Sequence, residues 1–292
     1  LSIRRQRQMC IRDSGCGVRA LHPPPTDEQL RLAYASTYYG SSARKFIVPV
    51  ATVIDFFQGG RARFATRQVE SGGNVLDVGC GNGGFLRQMK RRGHQVQGTE
   101  WSDLAARRVD EHSEEPITVH VGDLTDLGLP AASFDLITLW HVFEHLRDPH
   151  ATLNEIRRLL RPSGTLLMSM PNVEGDQAQR FGKHWLHHDP PRHLFGFGPE
   201  TLRSIFARTG FRLVDHHTRS LEQNPFGFIQ SWSNQFTANE GRPRDLLYEA
   251  LKGREFLTEV LDESGKYLKT SHATYAVRAL LPGLNGVGIS YA

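Results

Sequence analysis

The sequence predicts an α/β fold: a Rossmann-like, doubly wound and mostly parallel sheet. Three observations carry this. From residue 74 onward, β-rich stretches alternate with helical ones: NVLDVGC (74–80), HQVQGTE (94–100), ITVHVGD (117–123), FDLITLW (134–140) and GTLLMSM (164–170). Strands alternating with helices are joined by right-handed crossovers into a parallel sheet. A glycine-rich turn, GCGNGG (79–84), follows the first of these strands directly. Finally, a carboxylate stands at or near the end of each of the first three: Asp77, Glu100 and Asp123.

Taken in order, LSIRRQRQMCIRDS (1–14) has neither helical nor strand periodicity, and its MCIRDS portion resembles translated sequencing-adaptor read-through. Residues 1–14 are therefore set outside the fold, as an expression tag would be, and the final GISYA is read the same way. Residues 15–71 form an N-terminal helical segment. After Pro23, Pro24 and Pro25, Thr26 is the expected N-cap of a helix over 27–38, with Asp27 and Glu28 in the first turn, where they suit the helix dipole. A second helix is predicted within 43–70, where Phe46, Val50, Val53, Ile54 and Phe57 recur at helical spacing before Gly59-Gly60. The main domain, 72–217, adds helices over 85–92, 104–112, 150–160 and 201–209, then a sixth strand, FRLVDHH (211–217). Residues 218–292 are expected to be a helical extension on the substrate side, with a helix over 246–258 and an apolar run over 273–281.

Composition excludes several classes. Apolar residues make up 39% and charged residues 23%, so the chain can bury a core. The net charge of +4 owes much to Arg4, Arg5, Arg7, Arg12 and Arg19; elsewhere cations and anions are interspersed, and nucleic acid is not an expected partner. Three cysteines make no disulfide framework, and no apolar run is long enough to span a membrane. By elimination the expected setting is cytoplasmic. No residue pattern sets an oligomeric state.

Gly79, Gly81 and Gly83 permit a tight turn and close approach of a ligand to the backbone. Read literally, Gly79-x-Gly81-x-x-Gly84 also fits the dinucleotide fingerprint, which would make an NAD-dependent oxidoreductase. Asp77 discriminates, because a carboxylate at that strand end repels pyrophosphate but attracts the ammonium and sulfonium of S-adenosylmethionine. Glu100 is placed to accept from ribose hydroxyls and Asp123 from an adenine amino group, with Trp101 and Leu124 as apolar walls.

Two further blocks follow, SFDLITLWHVFEHLRDP (133–149) and LLRPSGTLLMSMPN (159–172). In order and spacing, the blocks over 72–217 resemble class I S-adenosylmethionine-dependent methyltransferases. The resemblance implies S-adenosyl-L-methionine as cofactor, held by Asp77, Gly79, Cys80, Gly81, Gly83, Glu100, Trp101, Asp123 and Leu124, with His141 against its adenosyl or methionine part. It also implies a seventh, antiparallel strand, which the sequence reading does not place.

Three constellations remain. HVFEH (141–145) matches the inverted zinc-protease pattern, which requires a helix through all five residues and a further acidic ligand; directly after a strand, Glu144 and His145 read instead as the mouth of an active site or as caps of the next helix. HWLHHDPPRHLFGFGPETL (184–202) gathers His, Asp and Arg after the fifth strand and resembles a phrase of methyltransferases acting on small molecules, sugars or lipid-linked intermediates. Its bland alternative has His193, Leu194 and Phe195 packing a lid and Arg192 paired with a carboxylate. GCG (15–17) resembles the end of a zinc ribbon, but Cys16 alone cannot close one. No metal site is expected, and Cys80 is a small spacer rather than a nucleophile. The expected reaction is in-line transfer of methyl to O, N or C of a small acceptor, sugar, quinone-like or lipid-linked. Candidate bases are His145, His188 and His193, with Glu144 as orienter. The rivals are the NAD-dependent oxidoreductase and a non-catalytic S-adenosylmethionine-binding module.

Overall fold

The structure, a computed structural model, describes residues 9–12, 17–34, 59–110, 116–218, 223–237 and 272–279. Thr26 caps α1 (Asp27–Ala33) in a full capping box, its hydroxyl accepting from the Gln29 amide while the Gln29 side chain accepts from the Thr26 amide. The helix α2 is described over 59–66, so Gly59 and Gly60 lie within a helix rather than ending one. The other expected helical residues of 35–58, the expected helix over 246–258, and Cys16 lie outside the described residues.

Seven strands form the main sheet: β3 (Asn74–Val78), β4 (Gln95–Glu100), β5 (Thr118–Val121), β6 (Phe134–Trp140), β7 (Leu160–Pro171), β9 (Phe211–His217) and β10 (His272–Ala279). Their order is β5-β4-β3-β6-β7-β10-β9. The first five pair in parallel; β10 runs antiparallel between β7 and β9. This is the strand the sequence reading left unplaced, so residues beyond 217 contribute to the sheet itself and not to a helical extension alone. The helices α3 (Gly84–Lys90), α4 (Asp103–Asp110), α5 (Pro149–Leu159) and α7 (Pro199–Arg208) fall within a few residues of their expected places.

Neighbouring strand residues face opposite ways, and both faces are covered. Leu76, Ile137, Leu166, Tyr275 and Val277 join one core with Leu153 and Ile156 of α5 and Phe206 of α7. Val75, Leu136, Leu167 and Ala276 join the other, with Ala62 and Ala65 of α2, Leu86 and Met89 of α3, and Val109. Burial on both faces is why these strands read as continuous apolar runs. Because α2 precedes residue 72 and lies in this core, the packed unit starts earlier than the expected boundary.

A second, three-stranded sheet joins β1 (Met9–Arg12), β2 (Arg19–His22) and β8 (Phe195–Gly196), all antiparallel. The strand β1 corrects the expectation that 1–14 has no regular structure: Cys10 pairs with Leu21 and Ile11 with Ala20. This sheet covers the loop that follows α6 (Asp176–Phe181), against which α8 (Gln223–Thr237) packs through Phe228 on Phe181 and Trp185.

Candidate active site

The strand order reverses beside β3, with β4 on one side and β6 on the other, which opens a crevice at the carboxyl ends of β3 and β6. The glycine turn leaves β3 there. Gly79, Gly81 and Gly83 all have positive φ. At Gly79 (φ 68°) a Cβ would lie 2.7 Å from Cγ2 of Val142, so the glycine lets the turns after β3 and β6 touch. A Cβ on Gly81 would meet nothing within 4 Å, leaving that backbone open to a ligand.

Asp77 is buried, 2% exposed, and Oδ1 accepts from the Thr138 hydroxyl at 2.6 Å. Burial pushes its pKa up to about 7, against the Thr138 hydrogen bond and the Arg61 charge, with Glu100 adding to the rise. A buried acid of this kind is a ready partner for a cation. Glu100 is also raised by burial, while each oxygen accepts a backbone amide: Oε1 from Gly81 at 2.6 Å and Oε2 from Trp101 at 3.0 Å. Each oxygen keeps a second acceptor site for a hydroxyl. Trp101 stands 65% exposed beside it, available as a wall.

Three of the expected cofactor contacts stand less directly at the crevice. Leu124 is not an open wall: it is 4% exposed and packs in the core with Leu129 and Phe134. Asp123 is exposed, and its Oδ1 accepts from the amide and hydroxyl of Thr125 at 3.1 and 2.9 Å, closing a local turn. Cys80 points away from the crevice, with its sulfur where a Cβ on Gly98 would come within 2.6 Å, and its amide donates to the Thr99 carbonyl. The spacer reading fits; any contact with a cofactor there is through the backbone.

HVFEH is not a helix through five residues. Only Phe143–His145 form a single 3-10 turn, and Asp148, not Glu144, caps α5 by accepting from Ala151. Glu144 is 2% exposed, and neither carboxylate oxygen has a hydrogen-bond partner among the described residues. His141, with φ 59°, begins this turn and places Nδ1 3.9 Å from Glu144 Oε1.

The 184–202 loop closes over the turn. The Leu194 amide donates to the Glu144 carbonyl at 2.9 Å, and the Leu21 amide of β2 donates to the Leu194 carbonyl at 2.9 Å. Arg192 pairs with Asp189, Nε on Oδ2 at 2.8 Å, as the bland alternative required. Yet the loop also brings His193 against His145, ring centroids 4.6 Å apart, and a narrow cleft forms between Arg19, Leu21, Glu144, His187, His188 and His193. Nδ1 of His145 lies 3.0 Å from the Arg192 carbonyl and Nδ1 of His193 lies 2.7 Å from the His187 carbonyl. A carbonyl only accepts, so Nδ1 of His193 carries the hydrogen and its Nε2 presents a lone pair, whereas Nδ1 of His145 lies equally 3.0 Å from the Tyr34 hydroxyl, which can donate to it or accept from it. Burial lowers the pKa of His145 and of His193 to about 4 and that of His187 to about 3, and raises that of Glu144 to about 8. At neutral pH the imidazoles are uncharged.

The sequence reading missed Thr138, Arg61, His187 and His272. A lone hydroxyl within the apolar run FDLITLW was the available signal for Thr138. His187 sits in the loop already singled out, and His272 opens β10, its ring 4.3 Å from that of His187 and 5.1 Å from that of His141. Arg61, whose guanidinium lies 5.3 Å over the Trp140 ring, carried no local signal.

Known proteins resemble this chain in sequence and in fold. The chain matches the malonyl-[acyl-carrier protein] O-methyltransferase of Serratia marcescens at 33% identity over 146 residues, 49% of this chain and 55% of that protein. It matches the ubiquinone biosynthesis O-methyltransferase of Cupriavidus pinatubonensis at 27% over 179 residues, 58% of this chain and 71% of that one. The chain thus spans little more than half the length of the first of these relatives. Among solved structures, a Haloferax volcanii methyltransferase in complex with the Trm112 activator superposes with a TM-score of 0.57 at 19% identity, covering 79% of this chain and 92% of that one. A methyltransferase from Archaeoglobus fulgidus gives 0.52 at 19%, covering 77% and 94%, so fold is what these two share with it. The profile of the "Methyltransferase domain" family matches residues 52–216, more than half of the 292 residues, and the chain belongs to that family, with the Rossmann-like domain of S-adenosylmethionine-dependent methyltransferases.

Proposed function

We propose that this chain transfers a methyl group from S-adenosyl-L-methionine to an oxygen of a small acceptor held in the histidine-lined cleft. The observation that carries the reading is the shared turn after β6: Val142 stands against the glycine loop at Gly79, while Glu144, at the same turn's other end, lines the cleft and His145 packs on His193 of its wall. S-adenosylmethionine supplies an electrophilic methyl group on a sulfonium. Asp77 offers its buried carboxylate to the cofactor's ammonium, Glu100 its free lone pairs to the ribose hydroxyls, and Trp101 its exposed face to the adenine. Asp123 accepts from the adenine amino group through the oxygen not engaged by Thr125. On the other side, His145, His188 or His193 accepts the acceptor hydroxyl's proton, and the Leu194 bridge holds the loop so that water is excluded. Most of the rate comes from alignment, because bringing nucleophile and methyl into line removes an entropic barrier of roughly 7–11 kcal/mol. The relatives named for O-methyl transfer support oxygen as the acceptor atom.

The test is calorimetric titration of the full chain with S-adenosylhomocysteine, then methyl consumption against phenols, sugars and isoprenoid alcohols. Micromolar binding abolished by Glu100→Ala, together with turnover on a hydroxyl acceptor, is the expected result. Absence of binding overturns the reading, and binding without turnover on any acceptor points to a non-catalytic module.

A further inference from the structure

Glu144 is a problem for a purely organic active site. Its carboxyl group is buried, both oxygens lack hydrogen-bond partners among the described residues, and the near cationic candidate, His141, is 3.9 Å away. A buried polar group left unsatisfied is costly, and such a group calls for a missing partner. Two imidazoles face the same space. One ligand atom from each of Glu144, His145 and His193 lies within 4.8 Å of the others. The His193 ring is oriented by Nδ1–H donation to the His187 carbonyl, the arrangement that fixes a metal-binding histidine, and the His145 ring is held at Nδ1 by the Arg192 carbonyl and the Tyr34 hydroxyl.

We propose that Glu144, His145 and His193 bind a divalent transition-metal ion, zinc in the first instance, with an open coordination position toward the cleft. Two imidazole nitrogens and one carboxylate oxygen form the ligand set of open zinc sites, and hard oxygen-seeking ions such as Mg2+ would not choose it. Ligands about 2.1 Å from zinc stand about 3.4 Å apart at a tetrahedral angle, so the three need only a small inward rotation. Three ligands leave room for a fourth, and the cleft lined by His187, His188 and Arg19 supplies the approach. The ligands come from the turn after β6 and from a loop some 50 residues later, joined by the Leu194–Glu144 hydrogen bond, so the site exists only when the lid is in place. This rests on the methyl-transfer reading and deepens it by naming what an acceptor oxygen meets in the cleft, and it departs from the sequence-based expectation of no metal.

The test is calorimetric titration of the chelator-treated full chain with ZnCl2, alongside S-adenosylhomocysteine titration of the same samples. One tightly held Zn2+ per chain is expected. Glu144→Gln and His193→Ala should each weaken it by more than the roughly 10–100-fold that loss of a contact merely supporting a ligand costs. His120→Ala, on β5, should leave it unchanged. Retained S-adenosylhomocysteine binding shows that the variants are folded. Should a variant lose both ligands, Co2+ on the wild type decides: strong visible absorption of a four- or five-coordinate ion supports the site, and the faint spectrum of a hydrated ion overturns it. Failure of the wild type to retain Zn2+, or equal retention by folded Glu144→Gln and His193→Ala, also overturns it. Zn2+ binding without S-adenosylhomocysteine binding would instead sink the methyl-transfer reading and leave the metal site standing.

Discussion

Burial of Asp77 should make cofactor affinity depend on pH, with a defined sign. Its carboxyl rises from 3.8 to about 7 because desolvation outweighs the Thr138 hydrogen bond. At 1.36 kcal/mol per pKa unit, that rise amounts to about 4 kcal/mol held against the ionised form. Below pH 7 the free protein carries a proton on Asp77, and an arriving ammonium must displace it. Affinity for S-adenosylhomocysteine should therefore be flat above about pH 7 and fall up to tenfold per unit below it, reaching about a hundredfold loss near pH 5. Glu100, also raised by burial, acts in the same direction. Calorimetry in two buffers of different ionisation enthalpy should count about one proton released per cofactor bound on the acid side. Asp77→Asn should weaken binding at pH 8 and flatten the profile. The ligand-free protein carries the complementary signature: the native carboxyl binds its proton more tightly than the unfolded one, so this contribution to stability is full below about pH 4 and lost as pH rises through about 7. A wild-type affinity that is level or strengthens toward acid, or an Asp77→Asn variant that keeps the slope, would refute the assignment of Asp77 to a cation.

Three other outcomes follow from the geometry. Gly79→Ala should lose roughly 1–2 kcal/mol to its left-handed backbone, plus the clash with Val142 at 2.7 Å. In a denaturant titration, adding Val142→Ala should recover the clash and not the backbone cost. Trp101→Ala should weaken S-adenosylhomocysteine binding by about tenfold while leaving Tm unchanged, because an exposed ring loses a stacking partner and no core contact. Tyr275→Ala should cost about 3–5 kcal/mol in urea unfolding, since the ring is 1% exposed between Phe206 and His216; a loss under 1 kcal/mol would mean that β10 does not close the sheet.

The central strands were legible because a strand buried on both faces writes itself as a run: Val75 and Leu76, or Leu136 and Ile137, face opposite cores yet both must be apolar. The strand β10 defeated the same reading. It opens on a histidine, mixes small residues with Thr274 and Tyr275, and takes its place from β7 and β9, which lie about 100 and 60 residues earlier. Leu124 was misread for a related reason. Beside Asp123 it looked like part of a ligand wall, but Leu124 and Leu129 turn inward under the loop, and a sequence does not say which side of a turn faces the core.

The proposed acceptor side shows where local reading stops. Asp77, Glu100 and the glycines could be proposed as cofactor contacts because each stands at or next to the end of a strand whose position follows from the alternation. Glu144 and His193 follow from no such rule. What decides their chemistry is that the Leu194 amide is spent on the Glu144 carbonyl and the Leu21 amide on that of Leu194, so an N-terminal strand, a turn after β6 and a loop after α6 are fastened in series. This fastening buries the carboxylate without giving it a hydrogen-bond donor and turns two imidazoles toward it. A sequence with the same motifs and a differently seated loop would expose Glu144 to water, where it would be an ordinary anion. The acceptor side thus depends on tertiary contacts in a way the cofactor side does not. Substitutions at Leu21 or Leu194 that loosen the loop should then disturb turnover while leaving S-adenosylhomocysteine binding intact.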